Sequence, residues 1–244
     1  MFFLDLENEE IVHKEEAKSK SEADTKIEGM HPVLFNQYPI CKDHSLVLLF
    51  AFEGLPQALS DELLQLLLII FKMTEKPSLR LGYNSMGGDC AINNLHFHLV
   101  DTEALFGNAE AVFPIEEAEK SLFFTCNLQH LDKSELNMYN CGVRFGELVN
   151  WPVRTLLLSP ELGTGNETLD DAQEALTHAA GVVINYMIET NMPHNILIAD
   201  EGMTIYVIPR KFDLLLDETV NFYTSFESLS GFVKYKTEGA FESA

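Results

Sequence analysis

The chain has 244 residues, 46% of them hydrophobic and 22% charged, the composition of a globular protein long enough for one large domain or two small ones. Its 38 Asp and Glu outweigh 16 Lys and Arg, a formal net charge of −22. A field of that sign repels nucleic acid and anionic lipid, so neither is an expected partner, and a phosphate-bearing ligand would depend on local donors.

The four cysteines, Cys41, Cys90, Cys126 and Cys141, show no CxxC spacing and read as free thiols of a reducing compartment. The opening MFFLDLENEE lacks a basic n-region and is too short for a signal sequence, and LLQLLLIIF is half the length of a bilayer span. A cytoplasmic protein is the expectation.

Residues 5–29 hold nine acids and four lysines with no period that builds a core. They read as a flexible lead-in, so residues 1–29 are assigned as disordered and 30–244 as the ordered domain. Within that domain 31–126 forms one half and 140–244 the other. VLFNQYPICKDHSLVLLF reads as two short strands joined by a turn over Pro39 to Asp43. Ser60-Asp61-Glu62 is a helix start, a cap followed by two acids, and Leu63, Leu64, Leu67, Leu68 and Phe71 form a mostly apolar helix ended by Pro77. LRLGYN resumes the sheet.

AVFPI and SLFFTC are expected strands, Asn127 to Asn140 a loop, and VRTLLLS another strand. After the breaker Gly163 to Asn166, Thr168 caps a second helix with Asp171 as a capping-box partner. Leu169, Ala172, Leu176, Ala179, Val183 and Met187 recur along it at helical spacing. NILIAD-EG-MTIYVIP reads as a hairpin closed by two residues. This order of elements specifies an α+β fold, a sheet with helices on one face.

The chemistry concentrates in Leu81 to Val100, LGYNSMGGDCAINNLHFHLV. Period-two alternation puts Leu95, Phe97 and Leu99 on one face of a strand and Asn94, His96 and His98 on the other. Three readings remain open for the two imidazoles. They are core histidines satisfied by backbone; or metal ligands completed by His44 or His31; or a nucleophile on phosphorus with its neighbours and backbone N–H groups holding the oxygens. The Gly87-Gly88 pair suits the last, since glycine lets backbone approach an anion closely.

Asn36, Pro39 and His44 form N-x-x-P-x-x-x-x-H on the preceding hairpin, and GYNSMGGDCAINNLHFH follows. Together these resemble the histidine-triad superfamily, and within it the family of plant GDP-L-galactose phosphorylases and animal GDP-D-glucose phosphorylases. FPIEEA, GVRFGELVNWPVRTLLL, NILIADEGMTIYVIPRK and SGFVKYKTEGAFESA are similar to the family in the same order, over roughly residues 31 to 244.

The resemblance implies a histidine-triad-like, galactose-1-phosphate-uridylyltransferase-like α+β fold with a degenerate second half. It also implies a metal-free and cofactor-free reaction of a GDP-hexose with inorganic phosphate, with a homodimer allowed. His96 matches the family nucleophile and would form a guanylyl-histidine. His98 would donate a proton or hydrogen bond, and Asn94 stands where the family has its first histidine. Asn36, His44, Asn84, Ser85, Gly87 and Gly88 would contact substrate. Arg80, Arg154, Arg210 and Lys211 are candidate phosphate neutralisers or surface charges, and Trp151, Met86 and Cys90 read as packing.

Two rival functions stay open. His98 in place of the Gln found in some members is also compatible with a nucleotide hydrolase. Asn94, the Ser230-Gly231-Phe232 that replaces the family's Ser-Gly-His, and the acidic lead-in where the family has a longer segment are compatible with a catalytically degenerate nucleotide-binding relative.

Overall fold

Eleven antiparallel strands form one sheet in this computed structural model, whose described residues are 2–5, 10–13, 30–51, 53–74, 76–127, 142–161, 168–211 and 223–235. In chain order they are β1 (Phe2–Asp5), β2 (Glu10–His13), β3 (Met30–Phe35), β4 (Ser45–Val47), β5 (Leu79–Asn84) and β6 (Phe97–Asp101). Then come β7 (Lys120–Asn127), β8 (Gly142–Leu148), β9 (Leu156–Glu161), β10 (His194–Ala199) and β11 (Thr204–Pro209). The helices are α1 (Asp61–Met73), α2 (Thr102–Phe106), α3 (Pro114–Glu117), α4 (Leu169–Glu189) and α5 (Phe226–Leu229).

The strand order β2-β1-β3-β4-β6-β5-β10-β11-β9-β8-β7 contains a repeat. Outward from the central β5–β10 pair, one half runs β5, β6, β4, β3 and the other β10, β11, β9, β8. In each, a long helix separates the second and third strands of the set in sequence: α1 between β4 and β5, α4 between β9 and β10. The two halves are therefore topological copies related by an approximate two-fold axis through the sheet centre.

Both long helices pack on the same face. Leu64, Leu67, Leu68 and Phe71 of α1 and Leu176, Ala180 and Ile184 of α4 bury against Leu81, Tyr83, Phe97, Ile196 and Ile205 of the sheet. Each such Leu, Ile or Phe side chain contributes about 1.5–3 kcal/mol of burial. The caps hold as the sequence reads: Leu63 N–H donates to Ser60 Oγ, and Thr168 and Asp171 form a reciprocal capping box. Gly181 lets α4 approach α1, because a Cβ there would lie 2.4 Å from Asp61 Oδ1. The opposite face carries a second core, with Phe113, Ile115, Phe226 and Leu229 on Val100, Leu197, Tyr206 and Ile208.

Several expectations are corrected. Part of the 1–29 lead-in is structured: β1 pairs with β3 and β2 with β1, where the β-forming runs Phe2-Phe3-Leu4 and Ile11-Val12 find an open sheet edge. AVFPI is not a strand; Pro114 cannot donate to a ladder and instead opens α3. The helix α1 stops at Met73, where Thr74 Oγ1 donates to Phe71 O, short of Pro77. The β10–β11 hairpin pairs Ala199 with Thr204, so four residues close it, and Asp200, Glu201 and Gly202 all take positive φ. VRTLLLS enters the sheet only from Leu156. The Asn127–Asn140 loop and the Gly163–Asn166 breaker lie almost wholly or wholly outside the described residues.

Candidate active site

His96 does not lie on a strand. β6 begins at Phe97, and Asn94 to His96 form an irregular lead to it. The reason is Gln57, a buried side chain just ahead of α1. Its Oε1 accepts the His96 N–H at 2.9 Å, and its Nε2 donates to His96 O and Asn84 O, both at 3.0 Å. One side-chain amide thus replaces the ladder that a partner strand would supply. The alternation survives: Leu95 and Phe97 are buried in the helix-side core, leaving His96 and His98 toward the opposite face.

The clamp has a chemical consequence. His96 Nδ1 lies 2.7 Å from Asn94 O, and a carbonyl can only accept, so Nδ1 carries the hydrogen. In the neutral ring Nε2 then holds the lone pair, and it has no protein partner among the described residues. Asn94 orients the ring through its main chain; its side-chain Oδ1 is buried without a partner among those residues.

His98 belongs to a second chain of hydrogen bonds. The Ile40 N–H donates to His44 Nδ1 at 3.2 Å, which places the His44 hydrogen on Nε2. That nitrogen lies 3.0 Å from His98 Nδ1, so it donates there and leaves His98 with its own hydrogen on Nε2. Asn36 Nδ2 is 3.2 Å from the same His44 nitrogen, and the amide is oriented by the Tyr38 N–H on Asn36 Oδ1 at 3.0 Å. Burial keeps both rings neutral, lowering His44 to about 4 and His98 to about 3. The rings of His96 and His98 meet edge-on, 5.5 Å between centroids.

Glu227 completes the cluster from α5. It is 1% exposed, its Oε1 accepts from Lys234 Nζ at 3.1 Å, and its Oε2 has no partner among the described residues. Burial works against its charge, yet the Lys234 ammonium outweighs that and holds the carboxyl below its usual range. One ring nitrogen each of His44 and His98 and a Glu227 oxygen lie within 4.8 Å of one another. These are metal-ligand types, but the hydrogen on His44 Nε2 and the Lys234 ammonium beside Glu227 do not fit a bound cation. His31 is elsewhere, accepting the Phe50 N–H at 3.1 Å.

The other candidates divide. Asn36 and His44 join the cluster. Asn84 and Ser85 are buried, and Asn84 Oδ1 and Ser85 Oγ are engaged internally. Asn84 Oδ1 accepts from Asn195 Nδ2 at 2.6 Å and from the Phe226 N–H at 2.8 Å, and Ser85 Oγ accepts the His194 N–H at 2.7 Å. Gly87 turns with φ +79°, and Gly88 packs so closely that a Cβ would lie 2.6 Å from His194 O. Gly87 also borders a cavity of about 380 Å³ on the helix side of the sheet, with Tyr83, Met187 and Met192. Among the cations, Arg80 is buried against Glu116, Arg210 donates to Asn195 Oδ1 and Thr224 O, and Arg154 and Lys211 are exposed. Trp151 is half-buried and donates to Leu229 O, and Met86 is exposed.

Comparison with known proteins agrees with this architecture. Residues 2–100 match the GDPGP1-like N-terminal domain and residues 127–244 the GDPGP1-like C-terminal domain. The chain belongs to the GDPGP1-like family. It is similar to GDP-L-galactose phosphorylase 2 of Arabidopsis thaliana, 30% identical over 222 residues, covering 87% of this chain and 44% of that protein. It is also similar to GDP-L-galactose phosphorylase 1 of the same plant, 29% identical over 179 residues, covering 73% of this chain and 34% of that protein. The chain therefore spans less than half the length of either relative. Among solved structures it resembles yeast Ap4A phosphorylase Apa2 in complex with AMP. The TM-score is 0.53 and the identity 15%, covering 87% of this chain and 67% of that one, a likeness of fold. No helix among the described residues is long and apolar enough to cross a membrane.

Sequence reasoning missed Gln57, Asn195, Phe226, Glu227 and Lys234 in this family member. Gln57 stood next to a visible helix start, but nothing local shows that its amide reaches a segment 39 positions away. Glu227 sits in a short helix that no periodicity announces.

Proposed function

We propose that the protein is a GDP-hexose phosphorylase acting through a covalent guanylyl-histidine on His96. The observation that carries this reading is the 2.7 Å contact of His96 Nδ1 with Asn94 O, which commits Nδ1 to the main chain and leaves Nε2 as the nitrogen able to attack. In the first step Nε2 bonds to the α-phosphorus as the bond from phosphorus to the bridging oxygen breaks, and hexose 1-phosphate leaves. That group departs as a phosphate ester, so no strong acid is required. His98 Nε2–H and Asn36 Nδ2 supply neutral donors to the phosphate oxygens. Inorganic phosphate then attacks the same phosphorus, the N–P bond breaks, and GDP is released with the imidazole restored.

Free thiols at Cys41, Cys90 and Cys126 are in keeping with a cytosolic enzyme. The test is to incubate the full chain with GDP-galactose or GDP-glucose, with and without phosphate. Phosphate-dependent GDP is expected, and His96→Asn should abolish it while leaving the protein folded. Products formed equally well in water alone would make the enzyme a hydrolase. GDP that raises the melting temperature without turnover would make it a binding relative.

A further inference from the structure

His44 Nε2 stands between opposing demands. The Ile40 N–H on Nδ1 requires the ring hydrogen to sit on Nε2. The Asn36 amide, held with its NH2 group 3.2 Å from Nε2, favours a lone pair there instead. If the hydrogen left Nε2, the bond to His98 would reverse. His98 would then donate from Nδ1 and present a bare lone pair at Nε2, repelling the phosphate oxygen that its N–H otherwise binds.

The charged and titratable groups that act on this pair come from three places. They are His96 on the approach to β6, Glu227 on α5, and Lys234 just beyond α5. Glu227 is the only anion among them. Lys234 engages its Oε1, while Oε2 is buried without a partner among the described residues. A Glu227 oxygen lies within 4.8 Å of one ring nitrogen of each histidine, and a negative charge that close in a buried site stabilises a neighbouring N–H and destabilises a neighbouring lone pair.

We infer that Glu227 is a positioning residue whose buried carboxylate keeps the shared hydrogen on His44 Nε2, and thereby holds His98 as an outward Nε2–H donor. This deepens the reading given under Proposed function, since the donor is wanted only if His98 meets a phosphate. It also accounts for the burial of an anion in a site that takes anionic ligands. The carboxylate acts through the imidazole pair and is matched by Lys234.

The experiment is nitrogen-15 NMR of the histidine rings in the free protein near pH 7, which needs no substrate and so is independent of whether phosphorolysis occurs. The wild type is expected to show the Nε2–H tautomer at both His44 and His98. Glu227→Gln should shift His98 toward Nδ1–H, and Glu227→Asp, which keeps the charge while shortening the side chain, should restore the wild-type pattern. An Nδ1–H tautomer at His98 in the wild type overturns the inference, even if the variants do not fold. So does an unchanged pattern in Glu227→Gln, or a Glu227→Asp protein that behaves like the Gln variant. In the kinetic arm Glu227→Gln should lower kcat by about tenfold or more, the range for losing a positioned donor, with the smaller effect on KM.

Discussion

Replacing Gly82 with Ala tests how the C-terminal segment is seated on the histidine strand. Gly82 lies opposite His98 in the β5–β6 pair and opposite Leu197 in the β5–β10 pair. It is not at positive φ, so on backbone grounds alone Ala should stabilise by about 0.4–1 kcal/mol through the unfolded chain. The packing argues the opposite. A Cβ at Gly82 would sit 2.2 Å from Phe226 Cε2 and Cζ, far inside the roughly 3.5–4.0 Å of a good carbon contact. The ring cannot slide freely, because the Phe226 N–H is tied to Asn84 Oδ1 at 2.8 Å and the ring packs on His98 and Phe113. The expected result is a loss of about 1–3 kcal/mol if the ring shifts, and about 3–5 if it is expelled. Urea denaturation would measure it. Activity should fall as well, since moving Phe226 moves Glu227. Gly82→Ala combined with Phe226→Leu should lose less than the sum of the two single changes. A neutral or stabilising Gly82→Ala, or strict additivity in the double variant, would refute the packing argument.

Gln57→Leu should destabilise by about 3 kcal/mol or more, because His96 N–H, His96 O and Asn84 O lose their partners at once. The loss of the proposed phosphorolysis should fall mainly on kcat, and wild-type kcat in a folded Gln57→Leu protein would remove the clamp from the proposed mechanism. Stability should also decline as pH falls below neutrality. His44 and His98 are depressed from 6.5 to about 4 and about 3, so between those values the unfolded chain binds protons that the native state does not. The stabilisation is complete above pH about 6.5 and lost on acidification; for His44 alone it amounts to about 3 kcal/mol by pH 4. Buried His31 and His194 act in the same direction. Denaturant melts at pH 7.5, 6 and 5 would check this, and a flat profile would mean that the cluster is hydrated or protonated in the native state.

What was legible in the sequence follows from the range of the interactions. The α1 and α4 caps, the apolar helix faces and the β5, β10 and β11 strands are specified within a few residues, and they were readable. The two imidazoles on one side of Phe97 were readable too, because alternation is local. The failures share a cause. Asn94 to His96 looked like strand because nothing nearby signals that Gln57 takes over the backbone hydrogen bonds. AVFPI has β composition, and only Pro114 weighs against a strand. The closing turn of β10–β11 is wider than Glu201-Gly202 suggests because Asp200 and Glu201 themselves take left-handed φ, Asp200 with its carboxylate accepting from Thr204 Oγ1.

The repeated topology raises the question of why the described residues hold one such cluster rather than two. On the face of β6 that carries His98 and Val100, the corresponding face of β11 carries Tyr206 and Ile208, and these lie in the core with Phe113 and Leu229. The second half has filled its own floor with apolar side chains. What it supplies crosses the axis. Asn195 braces Asn84 and Gly88, the His194 backbone holds Ser85, and the segment after β11 delivers Phe226, Glu227 and Lys234 onto the first half. A duplicated sheet lets one copy give up its chemistry and become a wall. The cost of burying Glu227 beside two neutral imidazoles is then borne by the packing of both halves, a larger core than one half alone could provide.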